Sequence, residues 1–174
     1  MRGRENEAPM PDPLAYFLTW VTYGAWLPGD ERGWVEYRHG WRLPHSILEL
    51  ESAARMTEDA CRLDHEQRRH VERQVAETCQ FRGWHLHAVN CRSNHMHVVI
   101  TAGQRPEQVR SQLKAWCTRC LKQEEMRRLG IRDETLVRQN WWAERGSQRY
   151  INDDAGLEGA TLYVRDAQDR AHLK

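Results

Sequence analysis

The sequence predicts an α+β fold, a ferredoxin-like βαββαβ sandwich with one additional C-terminal helix. Three observations carry that prediction. Four short stretches are rich in β-branched and aromatic residues, and three longer ones repeat apolar residues at helical spacing. The two kinds follow in the order strand, helix, strand, strand, helix, strand, helix. Without its last helix, that order is the split βαβ pattern.

Residues 15–23 (AYFLTWVTY) have strand composition. The following stretch GAWLPGDERGWV is turn-rich, with Pro28-Gly29-Asp30 as its signal. A helix is expected over 57–82. Thr57 is its cap candidate, Glu58 and Asp59 suit its first turn, and Ala60, Leu63, Val71, Val75 and Cys79 lie at helical spacing before Gly83. Residues 84–91 and 94–101 form two strands around Arg92-Ser93, a hairpin by composition. Pro106 opens a second helix whose apolar stripe is Val109, Leu113, Trp116, Cys117, Cys120 and Leu121, with Gly130 as its stop. Residues 136–151 hold a strand or two, with a turn at Gly146. After the cap candidates Asp153 and Asp154, a last helix is expected over 157–171.

A chain of 174 residues fits one domain and buries roughly 70% of its unfolded surface. The polar, proline-bearing residues 1–14 are expected to form a flexible tail, not a secretory leader, and 15–174 a single domain. No apolar run is long enough to cross a bilayer. Five cysteines, an odd number, and no leader point to a cytoplasmic protein with reduced thiols. A net charge of +1 excludes capture of nucleic acid by a whole-molecule field, so such binding needs a local patch. Residues 104–140 offer one, including Lys114, Arg119, Lys122, Arg127 and Arg128.

Within the second strand of the hairpin, His95-Met96-His97 places two imidazoles on one face, since side chains alternate along a strand. Neutral imidazoles at that spacing can share a divalent ion, although a third ligand must come from elsewhere. Histidines on a sheet are also often merely hydrogen-bonded. His85-Leu86-His87 repeats the pattern on the preceding strand. It shares the face of His95 and His97 if Cys91 pairs with His95, and faces away in a register shifted by one.

Asn94-His95-Met96-His97-Val98-Val99-Ile100 resembles the Asn-His-hydrophobe-His signature of single-tyrosine HUH transposases, and most of all the REP-associated tyrosine transposases. The aromatic first strand, Leu113-Lys114-Ala115-Trp116 on a helix and the segment from Trp142 to Gly146 agree, so the resemblance covers about 15–170. It implies a catalytic domain that cleaves and rejoins single-stranded or hairpin DNA with a divalent metal, Mg²⁺ or Mn²⁺, at His95 and His97. It implies Tyr163 as the nucleophile, forming a 5′-phosphotyrosine link. Tyr150 is the rival phenol. Relatives carry a glutamine one turn after the tyrosine. That position is Ala167 here, so Gln168, displaced by one, is the expected third ligand, with Asp166 as the alternative. The resemblance leaves open a monomer or a homodimer, with no membrane partner. A hairpin-DNA-binding protein that no longer cuts is one alternative, favoured by Ala167, and an RNA-directed nuclease or binder on this scaffold, which fits the aromatics and the basic patch, is another.

Two further features have competing readings. Cys117-Thr118-Arg119-Cys120 spells Cys-x-x-Cys, but on an apolar stripe it reads as packing. The loop bearing Trp26, Arg32 and Trp34 can stack bases and clamp a phosphate, or be a surface loop pinned by its tryptophans. Lys114, Arg119 and Lys122 are phosphate-contact candidates or a solvated helix face.

Overall fold

The computed structural model describes residues 12–36 and 38–167. Its centre is a four-stranded antiparallel sheet of β1 (Ala15–Val21), β4 (His85–Cys91), β5 (His95–Thr101) and β6 (Ser147–Ile151), in the order β4-β5-β1-β6. This is the split βαβ arrangement, because β5 inserts between β1 and β4. Helices α2 (His65–Arg82) and α3 (Pro106–Leu129) cover one face, and α4 (Asp154–Leu162) covers the other.

Strand alternation separates the two cores. Leu18, Trp20, Met96, Val98 and Ile100 point toward α2 and α3 and are fully buried or nearly so. The helices answer with Val71, Val75 and Cys79, and with Val109, Leu113, Cys117 and Leu121, which repeat every fourth residue. Cys117 lies wholly in this core, Cys120 half-buries beside it, and all five cysteines are free. The opposite face carries a smaller core of Ala15, Ala88, Val99, Ile151, Ala160 and Val164.

Helix α2 starts eight residues later than expected, at His65 after an Asp64 cap. Asp64 and Gln67 form a reciprocal capping box at 2.8 and 2.9 Å. Residues 57–63 are instead an extended strap. Cys61 N–H donates to Tyr23 O and Leu63 N–H to Ser93 O, both at 2.8 Å, while Glu58 accepts backbone N–H groups of Gln139 and Asn140. Cys61 and Leu63 are buried two apart, which is an extended period and not a helical one.

The turn-rich segment also holds more structure than its composition indicates. Strands β2 (Trp34–Glu36) and β3 (Gly40–Arg42) form a separate hairpin, followed by α1 (Ser46–Ala54). Gly29 and Gly33 make this insertion possible. Both have positive φ, and a Cβ would meet Glu49 N at 2.4 Å and Trp41 Cζ2 at 2.3 Å, respectively. Helix α4 begins at Asp154, capped by Asp153, and gives way at Tyr163–Ala167 to one π turn. Residues 168–171 of the expected last helix lie outside the described residues. So do residues 1–11 of the expected tail; at its inner end, Leu14 N–H donates to Ile151 O at 2.8 Å.

Candidate active site on the sheet face under the last helix

The register of β1 and β5 sets Thr19 opposite His97 and Val21 opposite His95, with Met96 turned into the main core. Both imidazoles therefore stand on the face covered by α4, their ring centroids 4.9 Å apart. Each ring has a partner at Nδ1. Asn94 Oδ1 lies 2.7 Å from His95 Nδ1, and Thr19 Oγ1 lies 3.0 Å from His97 Nδ1. An amide oxygen only accepts, so Asn94 fixes the His95 proton on Nδ1 and leaves Nε2 as a bare lone pair. Thr19 can accept in the same way from His97.

Burial disfavours the imidazolium forms. It lowers the His95 pKa, helped by Arg92, and pushes that of His97 down to about 4, helped by the charges of His95 and Arg92. Two neutral rings with their Nδ1 atoms engaged are a donor set suited to a divalent cation.

Tyr163 reaches this face from the π turn. Its ring is 5.9 Å from His97 and 6.1 Å from Phe17, near-perpendicular to both, and Phe17 stacks on His97 at 5.4 Å. Neighbouring Val164 is fully buried against Ala88 and Val99, and Arg165 Nη2 donates to His87 O at 2.8 Å. These contacts seat the tyrosine beside the histidines of its own chain, 46% exposed at the wall of a cavity of about 670 Å³. Tyr150 instead packs edge-on against Tyr16, which belongs to the main core.

The β4 register is the shifted one, with Cys91 opposite Met96 and Asn90 opposite His97. A bulge between Leu86 and Ala88 restores the phase, so His85 returns to the His97 face opposite Thr101. His87, the bulged residue, bonds Thr101 Oγ1 at 2.8 Å. Nothing in the sequence marks this bulge.

Asp166 is exposed in the π turn, where side chains no longer follow the 100° step of an α-helix. Among the described residues no acidic or thiol group forms a trio with His95 and His97 within 4.8 Å. Gln168 lies outside the described residues. One such trio does exist on the other helical layer, Glu66, His70 and Glu124. There Arg127 already engages both Glu124 carboxylate oxygens, at 2.5 and 2.9 Å.

The expected nucleic-acid contacts divide. Trp26 and Trp34 line a second cavity of about 390 Å³, which also touches Thr19, Val21 and Ser147 and so adjoins the histidine face. Arg32 lies over Trp26 at 5.9 Å, but its guanidinium is forked onto Asp30 at 2.6 and 2.7 Å, which holds that carboxyl below its usual range. Lys114, Arg119 and Lys122 sit on α3, in the layer opposite the histidines. Lys114 Nζ donates to the carbonyls of Ala143, Glu144 and Arg145 at 2.6, 3.3 and 2.8 Å, and Lys122 Nζ to Gln139 Oε1 at 2.6 Å. Arg119 stacks over Trp116.

No protein-family model matches the chain, and no curated protein matches it in sequence. Among solved structures it is similar to a REP-associated tyrosine transposase bound to a REP hairpin, with a TM-score of 0.51 and 11% identity over 97% of this chain and 74% of that one. A looser likeness, TM-score 0.39 and 11% identity over 99% and 95% of the chains, is to a proposed transposase from Deinococcus radiodurans R1. The chain therefore shares the fold of a REP-associated tyrosine transposase.

Proposed function

We propose that this chain is a divalent-metal-dependent single-strand DNA endonuclease and strand transferase acting on hairpin-containing DNA. The observation that carries this reading is the Tyr163 ring 5.9 Å from His97, on the face that also bears His95. His95 and His97 would hold the ion through Nε2, with Gln168 or Asp166 as the proposed third ligand. Such an ion, when bound, polarises a phosphate and holds it in place.

The protein's own part is attack and orientation. Tyr163 Oη bonds to phosphorus and the P–O3′ bond breaks. The phenol proton passes to solvent, and the departing 3′ oxygen takes one up. The products are a 5′-phosphotyrosine and a free 3′-hydroxyl. Phenolate is a better leaving group than an alkoxide, so an incoming 3′-hydroxyl can reverse the link. Phe17 keeps His97 and Tyr163 in fixed relation, and the Trp26–Trp34 cavity offers a stacking surface for a flanking base. The fold shared with a hairpin-bound transposase supports DNA as the partner.

A second reading, a hairpin-binding protein that does not cut, draws on one observation: no described acidic group completes a trio with the two histidines. Incubating DNA and RNA hairpins of identical sequence with the protein and Mn²⁺ separates the readings. Metal-dependent nicking of the DNA is expected. Tight binding without nicking supports the second reading, and preference for RNA overturns both.

A further inference from the structure

Arg149 has no role in the chemistry above, yet it stands beside it. In the β1–β6 register it is directly opposite Phe17, on the histidine face. Its guanidinium lies 5.4 Å over the Phe17 ring, the same ring that stacks on His97 and meets Tyr163 edge-on. One aromatic side chain is thus flanked by the histidine, the tyrosine and the cation. Among the described residues, no carboxylate, carbonyl or other acceptor takes a hydrogen bond from Arg149, and no acidic group pairs with it. Two other arginines near this face have named partners, Arg32 in Asp30 and Arg165 in His87 O.

The cavity of about 670 Å³ beside Tyr163 is where Arg149 opens, between β6 and the start of α4. Its acidic lining residue, Asp153, is committed as the α4 cap, accepting from Gly156 N–H at 2.6 Å. Gly159, on the opposite wall, would place a Cβ in open space, with no atom within 4 Å. A half-buried guanidinium with no counter-ion among the described residues, at the edge of an open cleft, is suited to a phosphate, to which it can donate two parallel hydrogen bonds.

Resting on the strand-transferase reading, we propose that Arg149 binds a substrate phosphate in this cleft, next to the phosphate attacked by Tyr163. The nucleic acid strand then runs from the Arg149 cavity across His97 toward the Trp26–Trp34 cavity, both of which border β1 and β6.

The test uses the full chain carrying Tyr163→Phe, so that binding is read without cleavage, and a hairpin DNA with single-stranded flanks. Affinity is measured by fluorescence anisotropy over a range of KCl concentrations. Adding Arg149→Gln is expected to weaken binding about tenfold at low salt and to reduce the log–log salt slope by about 0.7, the value for one phosphate of a single strand. Arg149→Lys should restore the slope, which separates charge from folding. A single methylphosphonate placed at each flank position in turn should weaken Tyr163→Phe at one site where the Arg149→Gln protein is indifferent. An unchanged slope and an identical methylphosphonate profile would overturn the assignment. Covalent adduct formation by the unsubstituted protein is read separately. Adducts with an unchanged slope remove Arg149 alone, a changed slope without adducts removes the cleavage reading alone, and the absence of both removes both.

Discussion

Thr19→Val tests how the sheet prepares His97. The substitution keeps shape and strand propensity but removes the hydroxyl 3.0 Å from His97 Nδ1. A buried donor without a partner costs about 1–3 kcal/mol, and the half-buried ring, which water can reach from the neighbouring cavity, belongs at the lower end, about 1 kcal/mol. The larger effect is on ligand orientation. Without Thr19 to hold the Nδ1 proton, His97 is free to move that proton to Nε2 and to rotate its ring. Loss of such a supporting bond weakens metal binding by about 10–100-fold. Urea unfolding reads the first effect, and a Mn²⁺ titration followed by paramagnetic resonance reads the second. Nitrogen-15 imidazole shifts should show the Nδ1–H tautomer of His97 diminished in Thr19→Val and that of His95, held by Asn94, unaltered. Wild-type Mn²⁺ affinity together with an unchanged His97 tautomer would refute this account of the Thr19 contact.

Other consequences can be checked singly. Met96→Ala, at a fully buried position, should cost about 2–5 kcal/mol in urea unfolding with an unchanged m value. Asp64→Ala removes the capping box of α2 and should cost about 1 kcal/mol in the same assay. Lys114→Met keeps the stem but loses three carbonyl bonds, so hydrogen exchange should quicken in residues 143–147 while the Tyr163 segment is unaffected. The depressed His97 pKa gives a pH signature in the metal-free protein. The unfolded chain takes up a proton near pH ~6.5 and the folded one only near about 4, so stability is full above the first value and falls as pH drops between the two, by at most about 3 kcal/mol. His97→Gln should flatten that part of the stability curve, and an equally steep fall in the variant would contradict the assignment.

The parts of this fold that were legible in the sequence are those marked by backbone chemistry or a long apolar period. Gly83 and Gly130 end α2 and α3 in left-handed conformations, Pro106 starts α3, and the i, i+4 run from Val109 to Leu121 is buried as its spacing predicts. What was not legible had no such mark. Helix α1 has no buried residue, so Ile47 and Leu50 form no core-facing stripe, and its cap is His45, an unusual choice. The strap before α2 carries helix-forming residues, but its backbone is drawn into hydrogen bonds with Tyr23 and Ser93. Tertiary pairing there overrides local preference.

The site divides along the same line. Strand alternation was enough to put His95 and His97 on one face, whereas Tyr163 was indicated by the family resemblance alone and falls in the π turn that follows α4. The bulge at His87 and the π turn at Tyr163, which together set how the phenol approaches, arise from contacts such as that of Arg165 with His87 O. Arg149 had no motif around it. Only the sheet register brings it to Phe17.

Mass spectrometry of the protein after incubation with a hairpin DNA and Mg²⁺ or Mn²⁺ bears most directly on the site. A denaturation-resistant conjugate whose nucleotide remnant maps to the peptide containing Tyr163, absent from Tyr163→Phe and from chelator-treated samples, is the predicted result. A conjugate that survives in Tyr163→Phe at undiminished yield, or one mapped to Tyr150, would contradict the convergence of His95, His97 and Tyr163 on one reaction.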